Sequence, residues 1–347
     1  MAPVIRECQR RGLDFFIIHS GQHYSYEMDR VFFDQLDLPP AQYNLEIGSG
    51  HHGEQTAKAM VGVERILFSE KPDVLLIQGD TNTTLAAALA AAKINLKIGH
   101  VEAGLRSGDR NMPEEINRTL TDHVSDYLFA PTGISRRNLL REGIPGSKIF
   151  VTGNTIVDAL GFMMDSIGNE SDSADRLALS AAGYFLATVH REENVDTKQR
   201  LQNILDGLEM VHNKFGLPIV LPLHPRTGKR INELGLRTPA GIRFIAPVGL
   251  VEFLQLEKNA RLILTDSGGV QEEACVLRVP CVTLRDNTER PETVDVGANM
   301  IAGTSPRKIV ECAQMMLGQK RDWENPLGDG NAGNRIVTIL QQEEGNR

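Results

Sequence analysis

At 347 residues the chain exceeds one ordinary core and suits two α/β domains of roughly 150 to 180 residues each. With 41% hydrophobic and 24% charged residues and a single Trp, it has the make-up of a soluble globular protein rather than a disordered or fibrous one. The net charge of -8, with no Lys and Arg run able to track phosphates, argues against a nucleic-acid partner, and the absence of any apolar stretch near ~18 residues argues against a membrane span.

In chain order, residues 2–12 read as an amphipathic helix with no strand before it, although a doubly wound half ordinarily opens with a strand. Short apolar runs rich in Val, Ile, Leu and Phe then alternate with longer amphipathic stretches, the pattern of parallel strands covered by helices. Strands are predicted over 15–20, 74–79, 97–101, 127–130 and 148–152, and a second series over 184–189, 217–223, 242–246, 261–265 and 280–284. Good helix formers from Thr83 to Lys93 predict one helix. Pro113 with Glu114 and Glu115 opens another that runs to Val124, and a third is predicted over 155–165. The polar stretch from Gly168 to Ser173 predicts a linker, which leaves two doubly wound sheets on either side. Cys8, Cys275, Cys281 and Cys312 have neither metal-type pairing nor disulfide spacing and read as reduced structural thiols. No signal peptide precedes the first helix, so the expected location is the cytoplasm.

In open α/β sheets ligands sit at the carboxyl ends of the strands, so polar residues directly after apolar runs are the candidates. They are Asp80 in LLIQGDTNTT, Glu102 in KIGHVEAGLRS, His190 in FLATVHREEN, His224 in IVLPLHP, and Asp266 with Ser267 in LILTDSGGVQEE. Asp80 taken alone is most simply a cap for the helix that follows. Glu102 ends a strand read as buried on both faces, beside a Gly104 that permits close backbone approach, and there function and structure weigh equally. Glu115 fits the helix dipole. Glu114 would reach the same cleft as Asp80 and Glu102, giving three carboxylates where proton transfer needs positioned acids and bases. The Ser267-Gly268-Gly269 turn opens a helix whose N–H groups suit a phosphate. Gln271 and Glu273 could bond ribose hydroxyls, and Arg285, Arg290 and Glu292 follow nearby. His190 and His224 lie in one layer but in no ligand cluster, so no metal is expected.

GDTNTT, HVEAGLRS, PEEINR, FVTGNTIVDA, TVHREEN, LTDSGGVQEE and RDNTERPE together resemble the non-hydrolysing UDP-N-acetylglucosamine 2-epimerases, in the family's order and over nearly the whole chain. The resemblance implies a glycosyltransferase-B type fold with two Rossmann-like domains facing a cleft. The first would span 1–157 and the UDP-binding one 158–331, with 332–347 crossing back as a helix. It implies interconversion of UDP-N-acetylglucosamine and UDP-N-acetylmannosamine by a homodimer with no organic cofactor and no catalytic metal. UDP would leave by anti elimination to give 2-acetamidoglucal and then re-add. By motif position, Asp80, Glu102, Glu114 and His190 match the family's catalytic and substrate-contacting set. Ser267, Gly268, Gly269, Glu273 and Arg290 match its UDP contacts, and Val248 and Phe253 match positions beside the uracil.

Gln22, His23, Met28 and Asp29 lie where many bacterial members bind a second, regulatory UDP-N-acetylglucosamine. The family often opens with a strand and a GTRPE segment whose Arg, with a downstream Lys, contacts the substrate. This chain begins at the residues that normally follow them, so the resemblance implies a misplaced start or a truncation, a less stable first domain and weakened turnover. Three other activities fit the same residues: a glycosyltransferase of the same fold, a hydrolysing epimerase, and an inactive UDP-sugar-binding paralogue. The carboxylate cluster argues against the first.

Overall fold

The computed structural model describes residues 1–21, 33, 36–167 and 179–345. The linker expected over 168–173 and the regulatory positions Gln22, His23, Met28 and Asp29 lie outside them. The chain divides into two compact units, Met1–Met163 with Leu327–Arg347, and Met164–Pro326.

The first unit is built on a parallel sheet in the order β3 (Val74–Gln78), β4 (Lys97–Val101), β5 (Tyr127–Ala130) and β6 (Ile149–Val151). On one face α2 (His52–Glu70) and α4 (Pro113–Val124) both pack against α3 (Asn82–Lys93). Buried Ala87, Ala88, Ala90 and Ala91 line α3, and such small side chains let neighbouring backbones come close. On the other face α1 (Ala2–Arg11) packs against the last helix of the chain, α14 (Ala332–Gly345). Val4, Val101, Phe129, Ile336 and Val337 form their shared core. Pro3 in the first turn of α1 and Gly12 in the left-handed region after it supply the usual start and stop. A further helix, α5 (Gly133–Arg141), follows β5, and α6 (Thr155–Ile167) follows β6.

The strand expected over 15–20 is reduced to β1 (Ile18–His19), which pairs in parallel with β2 (Tyr43–Asn44) in a separate two-stranded sheet. Its backbone groups bond along the segment 43–48, from Tyr43 N–H to Ile17 O at 3.2 Å through Gly48 N–H to Gly21 O at 3.1 Å. An extended chain must place these groups somewhere, and here the partner is local.

The second unit carries a six-stranded parallel sheet ordered β12 (Asn299–Ile301), β11 (Cys281–Thr283), β10 (Leu262–Thr265), β7 (Phe185–Thr188), β8 (Ile219–Pro222) and β9 (Ile242–Ile245). Its strands alternate between two cores. Phe185, Ala187, Ile219, Leu221, Leu262 and Leu264 enter one, and Leu186, Val220 and Ile263 enter the other. Burial on both faces is why they read as continuous apolar runs rather than alternating ones. The order reverses between β7 and β10, the topological switch point at which such sheets open a crevice at their carboxyl edge.

Candidate active site

In the first unit the carboxyl end of β3 turns through Gly79 at φ +78° into Asp80. Thr81, not Asp80, caps α3, its hydroxyl accepting from the Thr84 N–H at 3.3 Å. Asp80 is thereby released from the capping role. Its carbonyl accepts from Asn117 Nδ2 at 2.8 Å, and its carboxylate, one-third exposed, lies 3.6 Å from Arg118 Nη1. Asn117 and Arg118 share a face of α4 with Glu114, three and four residues before them, so the partly buried Glu114 belongs to the side of α4 that meets Asp80.

Glu102 follows β4 at φ +70°, a left-handed conformation that costs a non-glycine residue about 1–3 kcal/mol and persists only when its surroundings hold it. Its carboxylate accepts from Gln78 Nε2 on β3 and bends back toward Gly79, where an added Cβ would lie 4.0 Å from Oε2. Gly104, at φ +81°, has its Cα face against α5, and a Cβ there would collide with the Ser135 carbonyl oxygen. Glu115 fastens the loop after Glu102, accepting from Ser107 N–H at 2.9 Å, Ser107 Oγ at 3.0 Å and Gly108 N–H at 2.9 Å, and its Oε2 lies 3.4 Å from Arg118 Nη2. A pocket of about 580 Å³ opens beside this cluster, lined by His52, Thr56, Met60, Asn82, Pro113 and Asn117.

In the second unit the residues after β7 and β10 meet at the switch point. Asp266, fully buried, accepts from the His190 N–H at 3.0 Å, the Arg191 N–H at 3.0 Å and Asn194 Nδ2 at 3.1 Å, and its Oδ1 lies 2.9 Å from His190 Nδ1. Burial alone would raise the Asp266 pKa, but His190 and the other donors hold it below the usual carboxylate range. With Nδ1 donating to Asp266, the ring leaves Nε2 for a ligand. His224 stands in a structural role. Its Nδ1 accepts from the Arg226 N–H at 3.3 Å and caps α9 (Pro225–Glu233), while burial, then the nearby His190 and Arg226 charges, lower its pKa.

Ser267 caps α11 (Gly268–Val276), with Gly268 and Gly269 in its first turn. The Arg290 guanidinium stands at this helix end, about where a Gly268 Cβ would be 3.7 Å from its Cζ, and is ion-paired to Glu272. Arg285 is not available to a phosphate, because its fully buried fork is spent on Glu289 at 2.9 Å, Glu193 at 3.0 Å and Asn287 at 3.0 Å. Gln271 is also turned inward, its Oε1 accepting from Thr288 Oγ1 at 2.6 Å, so the ribose role considered for it does not fit. Glu273 keeps partial exposure and lies against the buried Glu257 of α10 (Leu250–Asn259). Burial, followed by the Glu273 charge, raises the Glu257 pKa well above the usual range, so Glu257 is the protonated partner of the pair. Val248 and Phe253 are partly buried against the core cluster that contains Val270 of the same α11. Among the described residues no group of His, Cys, Asp and Glu could hold a metal ion.

Sequence reasoning had Asp266 as a strand-end candidate but not as the partner of His190, and it missed Arg118 as the partner of Asp80 and His100 within β4. Of these His100 carried a signal, since a polar side chain inside an apolar run requires a buried partner.

The profile of the family described as UDP-N-acetylglucosamine 2-epimerase matches residues 6–341. The chain is 54% identical over 347 residues to the UDP-N-acetylglucosamine 2-epimerase of Methanocaldococcus jannaschii, covering 98% of this chain and 94% of that protein. It is 51% identical to the enzyme of that name from Methanococcus maripaludis, covering 99% and 95%. The crystal structure of the M. jannaschii protein in complex with UDP-GlcNAc and UDP superposes with a TM-score of 0.93, covering 98% of this chain and 95% of that one. The wall teichoic acid polymerase TagF shares the fold alone, with a TM-score of 0.55 at 12% identity. The fold class is α/β with Rossmann-like units of the glycosyltransferase-B type.

Proposed function

The chain belongs to the UDP-N-acetylglucosamine 2-epimerase family, and from that premise we propose that it interconverts UDP-N-acetylglucosamine and UDP-N-acetylmannosamine without hydrolysis. The observation that carries the chemistry is the cluster at the carboxyl ends of β3 and β4, where Asp80 follows Gly79 and the carboxylate of the strained Glu102 comes near that glycine, with Glu114 on the adjoining face of α4. Carbon 2 of the sugar holds a weakly acidic hydrogen, so its removal must accompany departure of UDP and build-up of positive charge at the anomeric carbon. Carboxylates meet both needs, taking the proton and stabilising the cation. The resulting 2-acetamidoglucal accepts UDP again after protonation of carbon 2 from the opposite side.

The second unit supplies the nucleotide contacts. The N–H groups at the start of α11, with Ser267, Gly268 and Gly269, and the guanidinium of Arg290 take the diphosphate. Glu273 takes the ribose, with Val248 and Phe253 beside the base. The imidazolium of His190, its Nδ1 donating to Asp266, donates from Nε2 to the departing phosphate oxygen. The fit of these residues to the diphosphate requires no cofactor. Exposed Val61 and Phe68 on α2, 48% and 59% accessible, and Ile116 and Leu120 on α4, both 46% accessible, support a homodimer through these helices. Light scattering that gives the mass of one chain would contradict that arrangement. No helix among the described residues is long and apolar enough to cross a membrane, and we place the enzyme in the cytoplasm, where nucleotide sugars are made and used.

Incubation with UDP-N-acetylglucosamine alone tests the reaction. UDP-N-acetylmannosamine should accumulate to an equilibrium mixture with no acceptor present. Free N-acetylmannosamine with UDP would identify a hydrolysing enzyme, and UDP binding without turnover an inactive relative.

A further inference from the structure

His100 is the fourth of the five residues of β4, between Gly99 and Val101, and is fully buried, as is Asp122 on α4. Its Nδ1 lies 2.6 Å from Asp122 Oδ1 and its Nε2 lies 3.0 Å from the Gly79 carbonyl oxygen. A peptide carbonyl can only accept. Asp122 Oδ2 accepts from the Gly104 N–H at 3.1 Å and pairs with Arg106 Nη2 at 2.7 Å, donors that match an ionised carboxylate. Both ring nitrogens of His100 therefore face acceptors, and only the imidazolium can donate from both. A neutral ring would set a lone pair against a buried oxygen and leave that acceptor unsatisfied.

We propose that His100 and Asp122 are positioning residues that form a charged brace under the Asp80 and Glu102 carboxylates, His100 holding the Gly79 carbonyl and Asp122 holding the Gly104 N–H. The proposal rests on the epimerase reading above, which gives those two carboxylates their task. Gly79 directly precedes Asp80, and Gly104 follows Glu102 by two residues. Gly79, Glu102 and Gly104 all sit in the left-handed region, at φ +78°, +70° and +81°, and of these Glu102, the one non-glycine, is strained there and must be held by its surroundings. One buried ion pair thus reaches both turns.

The charges around the ring agree with this. The groups acting on His100 are Asp122 from α4 and, more remotely, Glu102 from the end of its own strand, while Arg106 lies behind Asp122 and also pairs with Glu142 at 2.6 Å. Burial alone would lower the His100 pKa, but the charge and hydrogen bond of Asp122, with the Gly79 carbonyl, raise it above its ordinary value. Burial would likewise raise that of Asp122, and His100 and Arg106 bring it below its ordinary value. Neither residue needs to touch the substrate, since a misplacement of ~1 Å in a reacting group costs ~10²-fold in rate.

Two measurements on the full chain test the brace. Long-range proton–nitrogen spectra of histidine-labelled protein between about pH 6 and 8 should show both His100 ring nitrogens protonated, where an unperturbed imidazole would titrate. A neutral His100 tautomer across that range overturns the proposal whatever reaction the protein performs. His100→Gln keeps a hydrogen-bond donor but loses the charge, and it should lower kcat by ~10²-fold while the KM and the affinity for UDP, bound by the other unit, stay within about twofold. Parent-like kcat in a folded His100→Gln protein also overturns it. If that variant does not fold, the spectrum of the parent decides alone. An unmodified chain that shows the imidazolium but no epimerisation would instead sink the functional reading.

Discussion

Glu102 pays for a left-handed backbone in order to place its carboxylate, and the substitution that tests this leaves the backbone alone. Glu102→Gln should keep the fold and UDP binding and lose ~10²–10⁴-fold in kcat, the usual contribution of a general acid or base. Near-parent turnover in a folded variant would remove Glu102 from the chemistry. Arg290→Ala should act on the other half of the substrate, weakening UDP by about 10- to 100-fold, since a hydrogen bond to a charged group is worth ~1.5–3 kcal/mol. Calorimetry with UDP reads this directly, and an unchanged dissociation constant would contradict the placement of Arg290 at the phosphate. At this scale the sequence showed which residues end strands but not which partners they find. Asp80 and Thr81 are neighbours with the same capping ability, and only the geometry shows Thr81 bonding Thr84. Arg285 and Arg290 are equally plausible phosphate ligands in the sequence, yet Glu289 and Glu193 consume the first. Those partners lie across a bend or 92 residues away, beyond what local spacing can reveal.

Among the elements, α10 and α11 carry the buried Glu257 and the partly exposed Glu273 side by side, and this contact makes the second unit sensitive to pH. The folded-state pKa of Glu257 is raised, by burial first and by the Glu273 charge second. A raised carboxyl contributes its stability fully below its unfolded pKa of ~4.3, and that contribution is lost as pH climbs toward the folded value. Glu257→Gln keeps a potential donor beside Glu273 and removes the titration. Its melting temperature should therefore exceed that of the parent by a margin that grows from about pH 5 to pH 8. Parallel melting curves across that range would show that Glu257 is not the protonated partner. Elements themselves were the most legible level. The five strands expected in the second unit begin and end within two residues of expectation because each is a short, mainly apolar run, and the central ones are buried on both faces. The strand over 15–20 was overread, since apolar Phe15 to Ile18 signal burial but not the partner that makes a ladder. β2 and β12 were missed because each is only a few residues long, and short helices such as α7 (Glu192–Val195) and α12 (Pro291–Asp295) fell below the length at which periodicity is readable.

The proposed function divides the labour of the molecule by unit. The first gathers carboxylates at the ends of β3 and β4, and the second gathers N–H groups, a guanidinium and an aspartate-held histidine at a reversal of strand order. Alternation of apolar and amphipathic stretches was enough to read two parallel sheets, but it carries no information about strand order or about the return of α14 to α1, which depend on contacts more than 300 residues apart, such as Arg11 with Gln341 and Thr338. The resemblance of separated motifs supplied what periodicity could not. The central claim is that these carboxylates remove and replace the hydrogen at carbon 2 of a UDP-linked sugar. Proton NMR of the purified chain with UDP-N-acetylglucosamine in deuterated water measures that step most directly. The account predicts UDP-N-acetylmannosamine and recovered substrate that both carry deuterium at carbon 2. Interconversion that leaves the original hydrogen at carbon 2 in every product molecule, or no interconversion at all, would contradict it.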